Sequence, residues 1–588
     1  EKVLKHTFDD YWTTAKQEDN VNAFTGWKAL KAATEAAAKT LLRKKKWAHN
    51  WYTFSQEALD RAIDKSSKAD TAYKTYKASL NAKFQKDERE NTVQETQRSE
   101  ELREARNAAK KEKEVAINKA NEKWLRAQLK ILVDEDTTPK KFHQVIKKVS
   151  DGPKDGVTKP TKAMVFIQPD GTPSVTKAQS AQVMRIFLEE RDVTHPGVDL
   201  PYVKEKGRQH PKIKNLGRLP DIEELRETII AMKNGKAVLG IQPELLKLIA
   251  DTNDDVMLQH LLDLIVEHIK KGGMSIDEWK ERQITFIEKG KGASHPSKLR
   301  GLTIMHSCQK LIESMFERRT SPILKERIPQ WQRGGIKGRE AAELAFVLSR
   351  YLRMRKKIGQ DTYCLFLDAV KAYDVIDREV LYVCLEKFGF EEDAIQWVRS
   401  FHQGCTNTTK VNGLEIKTES NTGIPQGSPI SPALYVIWHY ICADAFDHAM
   451  ELEGDKVTMI FNSNLDETIA HPRTKDDMTN RSANGTTSSI VMDVARLAFV
   501  DDTTLLFENR ESAVRHAKKW ILHNLKFSSQ IHTGTTNKTS KSTCILFTAD
   551  DRYTSPDYKK LRNTENIQIN DEEHIHFVET QRHLGTLY

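Results

Sequence analysis

Cysteine is sparse: six in 588 residues, scattered singly with no CxxC pair. Neither a disulfide framework nor a zinc knuckle is therefore expected. No apolar run is long enough to span a bilayer and no secretory hydrophobic region is present, so no membrane partner is expected. Residues 1–135 contain no proline and a single glycine, Gly26. With Ala, Lys, Glu and Gln abundant, that is the composition of long helices. A sustained heptad is also missing. From Gln85 to Lys123 charges of both signs alternate without a repeating apolar seam, which predicts a solvent-exposed helix rather than a coiled coil. Trp12, Trp27, Trp47, Trp51 and Trp124 are the candidate packing anchors of this stretch, and Arg43–Lys46 reads as a solvated basic run.

What is present is length and unevenly placed charge. A chain of 588 residues exceeds what one core usually supports, so two or more domains are expected. Net charge is +9. Between Glu281 and Lys357, 18 Lys and Arg stand against seven Glu and no Asp, a surplus of 11, and the remainder is near neutral. A concentrated basic segment fits a groove that grips a polyanion. Residues 136–220, with repeated Pro and Gly, read as a linker holding a small hairpin around Gln168–Gly171 and a helix near Ala178–Glu190. The polar stretch 458–492 reads as an inserted surface hairpin or loop.

Two acidic segments carry the chemistry. Leu497–Phe507, LAFVDDTTLLF, sets Asp501 and Asp502 at the turn between two buried strands. Paired carboxylates repel and resist desolvation, a cost that a hard divalent cation removes. Upstream, Tyr363–Asp377 (YCLFLDAVKAYDVID) ends a strand-like run on Asp368, with Asp374 six residues on. A strand-end carboxylate beside such a pair is the arrangement that holds two metals for phosphoryl transfer. Asp374 is read as a backbone cap. Between the two lies Asn421–Pro432, NTGIPQGSPISP, whose Gly423 and Gly427 allow close backbone approach and whose Gln426 can bond phosphate or base. An apolar helix is expected over Ala433–Ala445.

On LFLDAVKAYD, GIPQGSPISP and AFVDD, the chain from about Pro220 onward resembles a reverse transcriptase of the non-LTR retrotransposon (LINE-type) branch. KSTCILF (Lys541–Phe547) and the terminal RHLGTLY are similar to its next strand and hairpin. KNGKAV with PELLK (Lys233–Lys247), Trp279–Glu313 and QRGGIKGR (Gln332–Arg339) are similar to its fingers. The resemblance implies an α+β right-hand polymerase with an antiparallel palm sheet: fingers over 221–350 and palm over 351–588, preceded by the helical region 1–135 and the linker 136–220. It implies two Mg²⁺ ions, with Mn²⁺ as a possible substitute, held by Asp368, the Ala369 carbonyl, Asp501 and Asp502. Val370, Gln426 and Gly427 would line the nucleotide, Tyr373 would exclude a 2′-hydroxyl, and Arg300 would grip the triphosphate, with Lys289, Lys291 and Lys298 as alternatives. Lys541 would protonate the leaving pyrophosphate, with Lys538 competing. Implied partners are an RNA template, a DNA primer or target and deoxynucleoside triphosphates. The setting would be an intracellular ribonucleoprotein, in nucleus or cytoplasm.

Three positions depart from the pattern. The fingers entry carries Val238–Ile241 in place of an acidic turn, Arg300 is followed by Gly301 instead of proline, and Val500 replaces a more typical alanine. With no helical thumb recognisable after the palm and no endonuclease before the helices, a fragment of a longer polyprotein that also carries the endonuclease is expected. A group II intron-type reverse transcriptase and a catalytically silent RNA-binding scaffold are the competing readings.

Overall fold

The computed structural model describes residues 2–17, 23–41, 56–87, 92–132, 164–251, 255–289, 294–357, 359–455, 460–462, 491–493, 496–535, 539–548, 566–578, 582–583 and 586–587. Trp47, Trp51, Arg43–Lys46, Lys291, Lys538 and most of the 458–492 stretch lie outside them, as does the side chain of Trp124. The chain forms two compact units, Glu1–Ala38 with Ala163–Tyr588, and Lys39–Lys162. Among the described residues no helix is long and apolar enough to cross a membrane. All six cysteines are free and buried.

Among the described residues of the smaller unit, two helices, Gln56–Asp87 and Val93–Leu132, pack as a pair. A capping box starts the second: Thr92 Oγ1 accepts from the Glu95 N–H while the Thr92 N–H donates to Glu95 Oε2. Over its described residues helix Val93–Leu132 is largely solvent-exposed, as expected for Gln85–Lys123, and it buries one narrow seam against the first helix. Leu59 and Ala120 are fully buried against Ile63, Ala116 and Ile117, and Lys65 pairs with Glu112 at 2.6 Å. Small residues let the helices meet along a seam too narrow to register as a heptad.

In the larger unit, helices Lys2–Gln17 and Ala23–Leu41 pack on the main core. Trp12 packs against His260, and buried Trp27 meets Trp279 edge-on at 5.4 Å while its Nε1–H donates to Glu278. A four-stranded sheet joins β1 (Glu281–Glu288), β2 (Leu299–Met305), β4 (Thr406–Val411) and β5 (Leu414–Glu419) in the order β2-β1-β4-β5. Only β1 and β4 run parallel. The turn at Gln168–Gly171 and helix Lys177–Arg191 cover this sheet, burying Phe166, Met184 and Leu188 with Leu299, Val411 and Ile416. From residue 164 on, therefore, the chain is packed structure and not a free linker.

The second sheet is built from β3 (Thr362–Leu367), β8 (Arg496–Phe499), β9 (Asp502–Phe507), β10 (Thr543–Phe547), β11 (Ile567–Gln568) and β12 (His574–Phe577). Their order across it is β11-β12-β10-β3-β9-β8. Strands β6 (Ile460–Asn462) and β7 (Val491–Asp493) form a separate antiparallel pair. The large sheet is mixed rather than wholly antiparallel, because β12 pairs parallel to β10. The chain between them is long enough for a crossover, which parallel neighbours require. Central β3 is buried on both faces, Leu365 and Leu367 in one apolar cluster and Cys364 and Phe366 in another. Helix Ser431–Leu452 is apolar nearly all round, as a helix buried on every side must be, and it joins the main core to the layer behind the sheet.

Candidate active site

Strand register brings the acidic segments together. In the β3–β9 ladder Leu367 faces Thr503, so one step beyond, Asp368 comes opposite Asp502. Both backbone groups of Asp368 are tied: its N–H donates to Ser542 Oγ (3.0 Å) and its C=O accepts from the His532 N–H (2.8 Å). Ala369 bridges Ile531 while the Val370 N–H donates to the Gln530 carbonyl. That pattern turns the Ala369 carbonyl away from Ile531, the geometry of the unbonded position in an antiparallel pair.

Asp501 sits in the two-residue turn between β8 and β9, where Phe499 pairs with Asp502. Its carboxyl is pushed up by burial and by Asp368, and pulled back by Arg300. Burial, then Asp501 and Asp368, push the Asp502 carboxyl up to about 6. The three carboxylates thus share one electrostatic field. Among the described residues no three side chains of metal-binding type form a ready-made cage. A hard divalent ion needs none, because Mg²⁺ is held by one or two carboxylates and completed by substrate phosphates and water. Partly buried, mutually repelling oxygens fit that demand.

Around this centre the other candidates are distributed as follows. Lys541 Nζ stands 3.6 Å from Asp368 Oδ2. Arg300, in register with Ile287 on the β1–β2 hairpin, is the basic residue of that hairpin whose charge reaches Asp501. Tyr373 stacks on Tyr435 with ring centroids 5.0 Å apart and planes 11° apart; burial, then Asp501, push its hydroxyl well up. The Gln426 carbonyl accepts from the Thr303 N–H at 2.7 Å. Gly427 has φ +128°, and a Cβ there would lie 2.4 Å from the Thr303 carbonyl oxygen. Glycine is required, and the PQG loop is thereby locked to β2, the strand of Arg300. Beneath it, buried Glu313 accepts from Ser428 Oγ and from Gln309, its carboxyl pushed up by burial.

Two expectations change. The Asp374 side chain caps no backbone; it pairs with Arg191 at 3.6 Å, and Asp377 is the residue that caps helix Arg378–Phe388. The basic segment is also less available than its count suggests. Arg282, Arg319, Arg327 and Arg339 bond backbone carbonyls, and Arg355 pairs with Glu508. Sequence reasoning missed Gln332, which is fully buried and bonds the acidic turn; the two glycines after it, a mark of close backbone approach, were the available signal.

A buried strand ending on one carboxylate, in register with a hairpin bearing two more and flanked by a lysine and an arginine, defines a nucleotidyl-transfer type of site. Residues 287–544 match the family of reverse transcriptases (RNA-dependent DNA polymerases). The chain is 25% identical over 201 residues to a probable RNA-directed DNA polymerase from transposon BS of Drosophila melanogaster, covering 32% of this chain and 22% of that protein. It is 24% identical over 160 residues to the Pol polyprotein of the type-1 retrotransposable element R2 of Popillia japonica (27% and 22%). It is 21% identical over 173 residues to a 149 kDa protein of transposon TX1 of Xenopus laevis (29% and 13%). The segment is a reverse transcriptase domain of the non-LTR retrotransposon type. The matches span about a fifth or less of the length of these curated relatives.

Proposed function

We propose that this chain copies element RNA into DNA, as the polymerase of a non-LTR retrotransposon polyprotein that uses target-primed reverse transcription. The observation that carries the proposal is the register placing Asp368 opposite Asp502, with Asp501 in the same field. Asp368, Asp501, Asp502 and the Ala369 carbonyl would hold two Mg²⁺ ions, or Mn²⁺ in their place. When bound, these ions would lower the pKa of the primer 3′-hydroxyl and neutralise charge on the departing pyrophosphate. The chain's own groups do the rest. Arg300 grips the triphosphate, its guanidinium suited to phosphate oxygens. Lys541, beside Asp368, donates a proton to the leaving group. Tyr373, braced by Tyr435, lies under the sugar and disfavours a 2′-hydroxyl. Val370, Gln426 and Gly427 line the nucleotide.

In right-hand terms, the six-stranded sheet is the palm and the β1–β2 hairpin belongs to the fingers. The partners are an RNA template, a DNA primer at the target and deoxynucleoside triphosphates, with an endonuclease on the same polyprotein, in a nuclear or cytoplasmic ribonucleoprotein. The transposon relatives favour this reading over a group II intron enzyme. The three retained carboxylates favour it over a silent scaffold. The test is extension of a primed RNA template with Mg²⁺: Asp368→Asn and Asp501→Asn should each abolish incorporation while binding template–primer normally. Substantial synthesis by either variant would refute the assignment.

A further inference from the structure

The turn that carries Asp501 is held in a costly shape. Val500 has φ +58°, in the left-handed region. Two-residue hairpin turns favour positive φ at this position but place Gly, Asn or Asp there, because a β-branched side chain crowds its own backbone. Such a conformation persists only when its surroundings over-determine it.

One side-chain amide holds both backbone polar groups of Val500. The Val500 N–H donates to Gln332 Oε1 at 3.0 Å, and Gln332 Nε2 donates to the Val500 carbonyl at 3.2 Å. The remaining capacity of the amide is also filled. Its oxygen accepts from the Gly334 N–H at 2.9 Å, and its nitrogen bonds His439 Nδ1 at 3.1 Å. With two donors and two acceptor sites satisfied, the amide has one orientation. The buried ring of His439 accepts at Nδ1, so it carries its proton on Nε2, where it meets Thr503 Oγ1 at 3.3 Å. Backbone bonds reinforce the contact: the Ala498 N–H donates to the Trp331 carbonyl and the Arg333 N–H to the Ala498 carbonyl. Gly334 has no room for a side chain, since a Cβ would lie 2.2 Å from the Val500 nitrogen.

We infer that Gln332 is a positioning residue for the reaction: it clamps the strained Val500–Asp501 turn so that Asp501 and Asp502 stay beside Asp368, where the three would hold a divalent cation. The inference rests on the polymerase reading for its kinetic consequence, but not for its effect on cation affinity. Gln332→Met preserves length and apolar bulk while leaving the Val500 N–H and C=O unpartnered.

In the full 588-residue chain, Gln332→Met should lower kcat on a primed RNA template by about 10- to 100-fold. It should raise the Mg²⁺ concentration for half-maximal activity, weaken Mn²⁺ binding measured by calorimetry without substrates, and leave template–primer affinity unchanged. Thr503→Val, at the far end of the relay, should shift the same quantities less, and it carries the test if Gln332→Met fails to fold. In a Val500→Gly background, where left-handed φ needs no restraint, the loss from Gln332→Met should shrink to within about threefold. An unchanged kcat and Mg²⁺ midpoint in both Gln332→Met and Thr503→Val would overturn the clamp. So would equal fractional losses in the parent and Val500→Gly backgrounds with unaltered Mn²⁺ affinity. A parent chain that binds Mn²⁺ through this clamp but incorporates nothing, also when carried in the longer polyprotein, would sink the polymerase reading alone.

Discussion

Replacing Asp502 with asparagine should make the cation-free protein more stable while removing its activity. Asp502 is partly buried, and burial with repulsion from Asp501 and Asp368 moves its carboxyl from 3.8 to about 6. Keeping it ionised at pH 7 then costs roughly 3 kcal/mol, at about 1.36 kcal/mol per pH unit. Solvent reaches the site, so about 1–2 kcal/mol remains after screening. The sign follows from the raised value: the folded state holds this proton more tightly than the unfolded chain. The favourable contribution is complete below pH 3.8 and is lost as pH rises through 6. Asparagine has nearly the same shape and no charge to desolvate. In a chain of this length the gain is a rise of about 1–3 °C in Tm.

The assay is thermal unfolding at pH 7 in a chelator, repeated with Mg²⁺ and with Mn²⁺. The parent should gain stability from either ion, since a cation bound only by the folded state shifts the equilibrium toward it. Asp502→Asn should begin higher and gain little. A variant that melts below the parent, with a parent indifferent to both ions, would refute the idea that these carboxylates are held apart by charge and drawn together by a cation.

Three other outcomes are expected. Tyr373→Ala removes the ring stacked on Tyr435 and should raise ribonucleotide incorporation relative to deoxyribonucleotide by about tenfold or more; discrimination equal to the parent's would remove Tyr373 from this role. Gly427→Ala places a Cβ against the Thr303 carbonyl at positive φ, so about 1–3 kcal/mol of stability should be lost and KM for the nucleotide should rise, while an unchanged melting curve and KM would show that the loop is not locked to β2. Burial holds His268, His306 and His523 near 4 and His439 near 3. Their depressed values mean that the unfolded chain takes up protons first as pH falls below 6.5, so stability should decline by about 1.4 kcal/mol per pH unit for each ring. A Tm that stays flat from pH 7 to pH 5 would contradict this.

Local chemistry was legible in the residues themselves; the convergence of the three acids was legible only through the family resemblance. A buried run ending on Asp368, an Asp pair between two apolar strands and a Gly/Pro loop are each written within about a dozen residues, because period-2 burial and glycine's backbone freedom are local properties. The helical composition of the first 135 residues was equally plain, whereas the pairing of the helices over 56–87 and 93–132 was hidden in a few alanines and isoleucines. Asp377, directly before the apolar-periodic run Arg378–Phe388 with Glu379 in its first turn, carries the local mark of a helix cap, whereas the pairing of Asp374 with Arg191 spans 183 positions and has no local sign.

The primary structure by itself therefore determined the kind of chemistry: which acids, on which strands, beside which loop. Folding alone decided that Asp368 stands opposite Asp502, that β12 arrives parallel to β10, and that Gln332 reaches across 168 positions to restrain Val500. Register and long-range hydrogen bonds depend on how distant segments close on one another, and no short window of residues encodes that closure.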